Sequence, residues 1–408
     1  MGKHCLYRRA GAGCLAGCFL FAAVACGRTA AVTGKIAGVP ETIAEEAERT
    51  QKEEELETSL YAQAAVLLDA SSGRVLFEKN GKQFLPVAST TKIMTCILAL
   101  EYGEEEDYCE VSANAASQPQ VRLGLSAGRR FRLIDLLYAM MLESDNDAAV
   151  VVAEHIGGSE EGFAQMMNRK ARELGMEDSW FVTANGLDRD GNGSTACDMA
   201  VLSAYALEND RFLQIIATQS WSFADETGSV SYTVTNHDAF LSQMSGALGI
   251  KTGYTGAAGY CFAGALWREG KKLVAVVLAT GWPPNRSRKW SDMARLMEYG
   301  LKEYSFREVV APEPFLDTVP VSEGKKGSVA VAMSESLSML LRREDRVRVR
   351  YLYADHLEAP VEKGQQVGSA YVYINGEYMA DFPIVTVQSD ERLTFCDYLQ
   401  KILDLFFQ

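Results

Sequence analysis

Pro86-Val87-Ala88-Ser89-Thr90-Thr91-Lys92-Ile93-Met94-Thr95 is the stretch on which the reading of this chain turns. Ser89 and Lys92 stand three residues apart. On a helix that spacing puts a hydroxyl and an amine on one face, one turn apart, close enough for the amine to take the hydroxyl proton. From Ser89 to Leu100 the chain is apolar on most faces after the first turn, so a buried helix is expected there. Ser89 falls at its start, just after Pro86, where unpaired backbone N–H groups and the positive end of the helix dipole favour developing negative charge. Lysine acts as a base only when partly neutral, which requires burial or a second cation nearby. A nucleophile touching its base is the minimum device for acyl transfer.

The pattern S-x-x-K is short, and it recurs at Ser322 to Lys325 in a Gly-rich turn, where it is read as chance. Two further elements select the first copy. Ser144-Asp145-Asn146 follows the amphipathic helical spacing of Leu133 to Leu142, and Lys251-Thr252-Gly253 lies on an expected strand, in that order along the chain. Another S-x-N, Ser112 to Asn114, precedes a loop-like stretch and is the weaker candidate.

Outward from these motifs the chain reads as an α+β domain. Ala64 to Asp69, the turn Ser71-Ser72-Gly73 and Arg74 to Phe77 form a β-hairpin pattern, and Phe163 to Leu174 has helical spacing. Strand character returns at Ala247 to Thr252, Cys261 to Leu266 and Leu273 to Ala279. The expected core is therefore an antiparallel sheet built from both ends of the domain and covered by helices. Pro312 and Pro314 punctuate its end, and strand-like runs at Ser328 to Met333, Val347 to Tyr353 and Ala370 to Ile374 indicate a small all-β domain. A C-terminal amphipathic helix follows, with Phe395, Leu399, Ile402, Leu403 and Phe406 on one face. The expected boundaries are 1–26 for a signal peptide, 27–58 for an acidic linker (a solvated tether or frayed helix), 59–308, 312–390 and 391–408.

Composition excludes several function classes. A formal net charge of -14 argues against nucleic acid or anionic lipid held by electrostatics. Lys3, Arg8 and Arg9 before an apolar run from Leu15 to Ala25 read as a secretory signal, with an uncleaved anchor as the alternative and lipidation at Cys18 or Cys26 left open. The bulk is then extracytoplasmic, in the cell envelope. Outside the targeting segment Cys96, Cys109, Cys197, Cys261 and Cys396 are odd in number and lack ligand spacing, so neither a disulfide framework nor a zinc site is expected. No metal or other cofactor is expected. His155, His237 and His356 have no G-x-S-x-G partner, which disfavours a Ser-His-Asp hydrolase. Arg286, Arg288 and Lys289 read as a solvated basic loop, with a contact to a substrate carboxylate as the alternative.

The three motifs with L-L-D-A-S-S-G-R-V-L-F, S-D-N-D-A-A, N-G-L, S-T-A-C-D-M-A, T-N-H-D and G-I-K-T-G-Y-T-G-A-A-G-Y, from Ala64 to Tyr260, resemble the low-molecular-weight D-alanyl-D-alanine carboxypeptidases, the serine penicillin-binding proteins. A-P-V-E-K-G-Q-Q-V-G, from Ala359 to Gly368, resembles their β-rich C-terminal domain. The resemblance implies a β-lactamase/transpeptidase-like fold. It implies that Ser89 attacks the penultimate D-Ala carbonyl of a peptidoglycan peptide ending in D-Ala-D-Ala, Lys92 takes its proton and Ser144 relays a proton to the leaving amine. Asn146 would bond the substrate backbone, and Lys251 and Thr252 the terminal carboxylate. Gly253 would let the peptide lie along the strand, and the N–H groups of Ser89 and Tyr254 would form the oxyanion hole. β-Lactams would be covalent inhibitors, and the terminal helix leaves a membrane-surface contact open. The family usually has a small residue at Asp145, and S-D-N is commoner in β-lactamases, which makes a β-lactamase the runner-up. No E-x-x-L-N stretch for deacylation lies between Asn146 and Lys251. A catalytically silent scaffold would have no reason to keep Lys92 and Lys251 together.

Overall fold

The computed structural model describes residues 36–37, 43–310, 316–333 and 335–406; the expected export segment lies outside them. Two compact units emerge, Gln51–Lys302 and the chain from Glu303 onward.

The first is built on a five-stranded antiparallel sheet of β1 (Ala64–Asp69), β2 (Val75–Lys79), β3 (Ala247–Thr255), β4 (Gly259–Arg268) and β5 (Lys271–Leu278), in the order β2-β1-β5-β4-β3. β1 and β5 read as unbroken apolar runs rather than alternating ones because both of their faces are covered. Val66, Leu68, Val274 and Val276 join the large core of the helical side. Leu67 and Leu273 turn to the other face and close on Gly300 of the helix Arg288–Glu303.

On the helical side lie α1 (Lys92–Tyr102), α2 (Leu133–Leu142), α3 (Asn146–Gly157) and α4 (Ala196–Ala206). The helix expected from Ser89 starts instead as a 3-10 turn, Ala88–Thr91, so that Lys92 is the first α-helical residue. The Glu-rich stretch holds a helix over Ile43–Ser59. The helix expected over Phe163 to Leu174 runs Glu160–Glu173, because Ser159 caps it by accepting from the Gly162 N–H. In S-T-A-C-D-M-A, Thr195 caps α4 by accepting from the Asp198 N–H, and Asp198 takes the Asp178 N–H and the Ser179 hydroxyl. That motif is structural.

The second unit is β-rich. Strands Ser328–Met333, Val347–Tyr353, Gln366–Ile374 and Glu377–Thr386 belong to its main sheet, around a small core of Val319, Val331, Val349, Ala370, Val372 and Ile384. A helix over Phe395–Phe406 ends it, with Phe395, Leu399, Ile402 and Leu403 all exposed. Among the described residues no helix is long and apolar enough to cross a membrane.

Candidate active site

Lys92 is fully buried, and its Nζ reaches three oxygens: Ser89 Oγ at 2.9 Å, Asn146 Oδ1 at 2.9 Å and the Asn185 carbonyl at 2.8 Å. An ammonium has three protons to donate; a neutral amine has two and a lone pair. The Asn146 and Asn185 oxygens only accept, so they fix two protons and leave the third position facing Ser89. When the amine is neutral its lone pair therefore points at the serine hydroxyl. Burial holds the Lys92 amine well below the usual lysine range, and the nearby Lys251 charge adds to this, while Asp145 and Asp147 oppose it.

Local backbone explains how Ser89 and Asn185 arrive. Ala88, just before Ser89, sits at φ 48°, a region sparsely populated by residues other than glycine and concentrated at functional sites. Asn185 is followed by Gly186 at φ 78°, where a Cβ would stand 1.9 Å from the Ala88 carbonyl oxygen. Only glycine lets the N-G-L loop press against the nucleophile turn and aim the Asn185 carbonyl at Lys92.

Ser144, Asp145 and Asn146 stand where α3 begins. Ser144 sits at φ 75°, half-buried, and its hydroxyl has no hydrogen-bond partner among the described residues. Asn146 donates from Nδ2 to the Pro119 carbonyl at 3.1 Å as well as holding Lys92, which leaves one amide proton for a substrate. Asp147 accepts from the N–H groups of Leu123, Gly124 and Leu125 and so fixes the loop that precedes α2.

Asp145 is 1% exposed, and its Oδ2 finds no partner. Burial pushes its carboxyl up to about 7, Asp147 and Glu143 push the same way, and Lys92 and Lys251 pull against them. An unfolded aspartate ionises near its ordinary value, so between that value and about 7 the folded chain holds the extra proton, and stability falls as pH rises through this window. Asp145→Asn should therefore be more stable than wild type at pH 8, by on the order of 4 kcal/mol, and melt at a higher temperature there, while showing little gain at pH 4. Melting curves at the two pH values measure it; a gain equal at both would mean that packing, not charge, is responsible.

Opposite the helices, β3 presents Lys251, Thr252, Gly253 and Tyr254 at the edge of the sheet. A Cβ on Gly253 would meet Ser89 N at 2.8 Å and Ala88 Cβ at 3.0 Å, so glycine is what allows the strand edge to lie against the nucleophile turn. Lys251 is 3% exposed, and its Nζ donates to the Thr252 carbonyl at 3.2 Å. Burial lowers its amine to about 8, with a further push from Lys289 against the pull of Asp238.

Lys289 corrects the reading of a solvated basic loop. It is 4% exposed, with its Nζ 5.2 Å from the Tyr260 ring and 4.8 Å from the Trp290 ring. Burial and the neighbouring Arg286 lower it to about 8. The sequence signals only a basic cluster; the helix start at Arg288 turns Lys289 inward. Asp238, from T-N-H-D, accepts the N–H groups of Phe240 and Ile250 and anchors the start of β3.

The rejected motifs lie elsewhere. Ser112 caps a short helix, and Asn114 bridges Glu154 and Glu160. In the second S-x-x-K, Lys325 pairs with Glu391 at 2.9 Å, Ser322 meets His356 Nε2 at 2.6 Å, and the Lys326 and Gly327 N–H groups are taken by Asp390. That turn is already filled by its own side chains. His155 ends α3 beside Asp107, and Cys96, Cys109, Cys197, Cys261 and Cys396 are free thiols. Among the described residues no group of three or more His, Cys, Asp or Glu is placed to hold a metal ion.

Comparison with known proteins gives this constellation its context. The family described as D-alanyl-D-alanine carboxypeptidase matches residues 48–281, and that described as penicillin-binding protein 5, C-terminal domain, matches residues 307–392. The D-alanyl-D-alanine carboxypeptidase DacF of Bacillus subtilis is 29% identical over 350 residues, covering 84% of this chain and 89% of its own. DacB2 of Mycobacterium tuberculosis, another D-alanyl-D-alanine carboxypeptidase, is 34% identical over 59% of this chain and 82% of its own. Penicillin-binding protein 5 from Haemophilus influenzae shares the fold, with a TM-score of 0.68 at 24% identity over 82% of this chain and 98% of its own. With the first match spanning the nucleophile turn, the Asn185 loop and β3 alike, the chain belongs to the D-alanyl-D-alanine carboxypeptidase family.

Proposed function

We propose that this enzyme removes the terminal D-alanine of peptidoglycan peptides ending in D-Ala-D-Ala through an acyl-enzyme on Ser89, outside the cytoplasm, and that penicillins acylate the same residue. The observation that carries the reading is the fixed direction of the Lys92 lone pair toward Ser89 Oγ. Neutral Lys92 takes the serine proton as Oγ attacks the penultimate carbonyl carbon. The N–H groups of Ser89 and Tyr254 receive the oxyanion. The proton passes through the unengaged Ser144 hydroxyl to the leaving amine, the C–N bond breaks and D-alanine departs. Water gives a proton to Lys92 as it attacks the ester carbon, and Lys92 hands that proton to Ser89 Oγ as the ester C–O bond breaks, which frees the serine and leaves the amine neutral.

Lys251, a buried cation with no carboxylate salt bridge among the described residues, makes the β3 end of the cleft suited to a terminal carboxylate, with the Thr252 hydroxyl as a donor. Gly253 leaves the strand edge open for the peptide to add as a further strand. The domain limits 59–308 and 312–390 fit this division of labour, with catalysis assigned to the first. The terminal helix, with its exposed apolar face, would add a membrane-surface contact.

The test is intact-protein mass spectrometry of the chain incubated with a penicillin and, separately, with a peptide ending in D-Ala-D-Ala. The expected result is a long-lived penicilloyl adduct mapping to Ser89 together with release of D-alanine. Fast antibiotic turnover without D-alanine release would replace the reading with a β-lactamase, and a Ser322→Ala variant that lost the adduct would mean that the wrong S-x-x-K had been chosen.

A further inference from the structure

The loop that holds Lys92 also reaches the strand on the far side of the cleft, and nothing in the acyl-transfer scheme uses that contact. Asp188, three residues after Asn185, accepts the Thr255 hydroxyl at 2.6 Å on Oδ1 and the Ala257 N–H at 3.2 Å on Oδ2. Thr255 Oγ1 in turn accepts the Ala258 N–H at 3.0 Å, and Trp282 donates to the Gly256 carbonyl at 2.8 Å, so the β3–β4 turn is gripped from two sides. At its other end the loop is equally fixed. Asn185 Oδ1 accepts the Leu187 N–H at 3.0 Å, its Nδ2 donates to Gln118 Oε1 at 3.1 Å, and its carbonyl accepts a hydrogen bond from Lys92 Nζ at 2.8 Å.

The register shows what the contact spans. Gly253 abuts Ser89; Thr255 lies two residues beyond it and Lys251 two residues before it, each about 7 Å along the strand. Asp188 therefore meets β3 at the end opposite Lys251. Tyr254, next to Thr255, carries the N–H assigned above to the oxyanion hole.

We propose that Asp188 is a positioning residue, a strap that ties β3 to the Lys92-holding loop and keeps the oxyanion donor of Tyr254 in register with the base and nucleophile. The inference rests on the Ser89 reading of the site. A carboxylate suits the position because it accepts a hydroxyl and an N–H at once, with the strength of a charged acceptor. Asp188 is exposed, so the bonds add little to stability. Their effect falls on geometry, where displacement by a fraction of an ångström to an ångström lowers the rate strongly.

Asp188→Ala and Thr255→Val in the full chain should each slow acylation by a penicillin, and D-alanine release, by about 10-fold to 100-fold. KM for the peptide should change little, and melting temperatures should stay within about 2 °C of wild type. The double variant should be no slower than the slower single one, because both break one strap, and Thr255→Ser, which restores the hydroxyl, should recover most of the loss. Single variants that keep pace with wild type, or losses that multiply in the double variant, would overturn the strap while leaving Ser89 acylation in place. Wild-type protein that takes no label on Ser89 would overturn the reading of the site and the strap with it.

Discussion

Ser89→Ala protein should form no penicilloyl adduct and should release D-alanine at least about 10⁴-fold more slowly than wild type, the scale on which removing the nucleophile of a serine acyl-transfer site acts. No neighbour can replace it. Among the described residues Ser144 has no hydrogen-bond partner, but the one amine base there in contact with a serine hydroxyl is Lys92, and the serine it touches is Ser89. Cys261 lies close to the nucleophile turn, within 4.0 Å of the Pro86 carbonyl, yet burial pushes its thiol up to about 12, which leaves no thiolate to attack at neutral pH. Ser89 accepts one hydrogen bond and is half-buried, so removing its oxygen leaves the fold intact. Intact mass and a melting curve on the same sample separate the two effects. A variant that still acquires the adduct would move the nucleophile elsewhere.

Much of this site was legible because its chemistry is local. Ser89 and Lys92 share a turn, Ser144 and Asn146 flank a helix start, and Lys251 to Tyr254 are consecutive on a strand whose apolar neighbours mark it. The sheet was legible for a related reason: Val66, Leu68, Val274 and Val276 lie in short apolar runs, rich in β-branched residues and bounded by turns, which favour covered strands over helix. What sequence reasoning missed depends on distance or on backbone. The Asn185 carbonyl carries no side-chain signal, and its aim at Lys92 depends on Gly186 fitting against Ala88. Lys289 reads as one of three surface cations until the helix Arg288–Glu303 turns it between Tyr260 and Trp290. Asp188 and Thr255 are separated by 67 residues, and no periodicity links them. Asp145 stands out in the sequence as a departure from the family, but only its burial without a partner for Oδ2 shows that the departure is charged at a cost.

The pH dependence of acylation should separate the base from the cations that surround it. Proton abstraction needs neutral Lys92, whose fraction rises with pH; because burial and Lys251 hold this amine well below the ordinary lysine value, the rising limb is expected at lower pH than an ordinary lysine would give. On the proposed reading Lys251 holds the terminal carboxylate as an ammonium, and burial lowers it to about 8, so KM for the peptide should climb above that pH and kcat/KM should trace a bell. Asp145 titrates beside Lys92, at about 7. As it ionises it favours the Lys92 ammonium, so the rising limb belongs to the pair and is broadened, and Asp145→Asn should move it to lower pH. Lys92→Met should cost about 10³-fold to 10⁴-fold in acylation and erase the rising limb while leaving the fall above pH 8. Lys92→Arg should be as slow, since a guanidinium stays charged across the range. If the limb survives in Lys92→Met at reduced amplitude, the proton goes to another group, and the three oxygens around Nζ hold a structural lysine rather than a base.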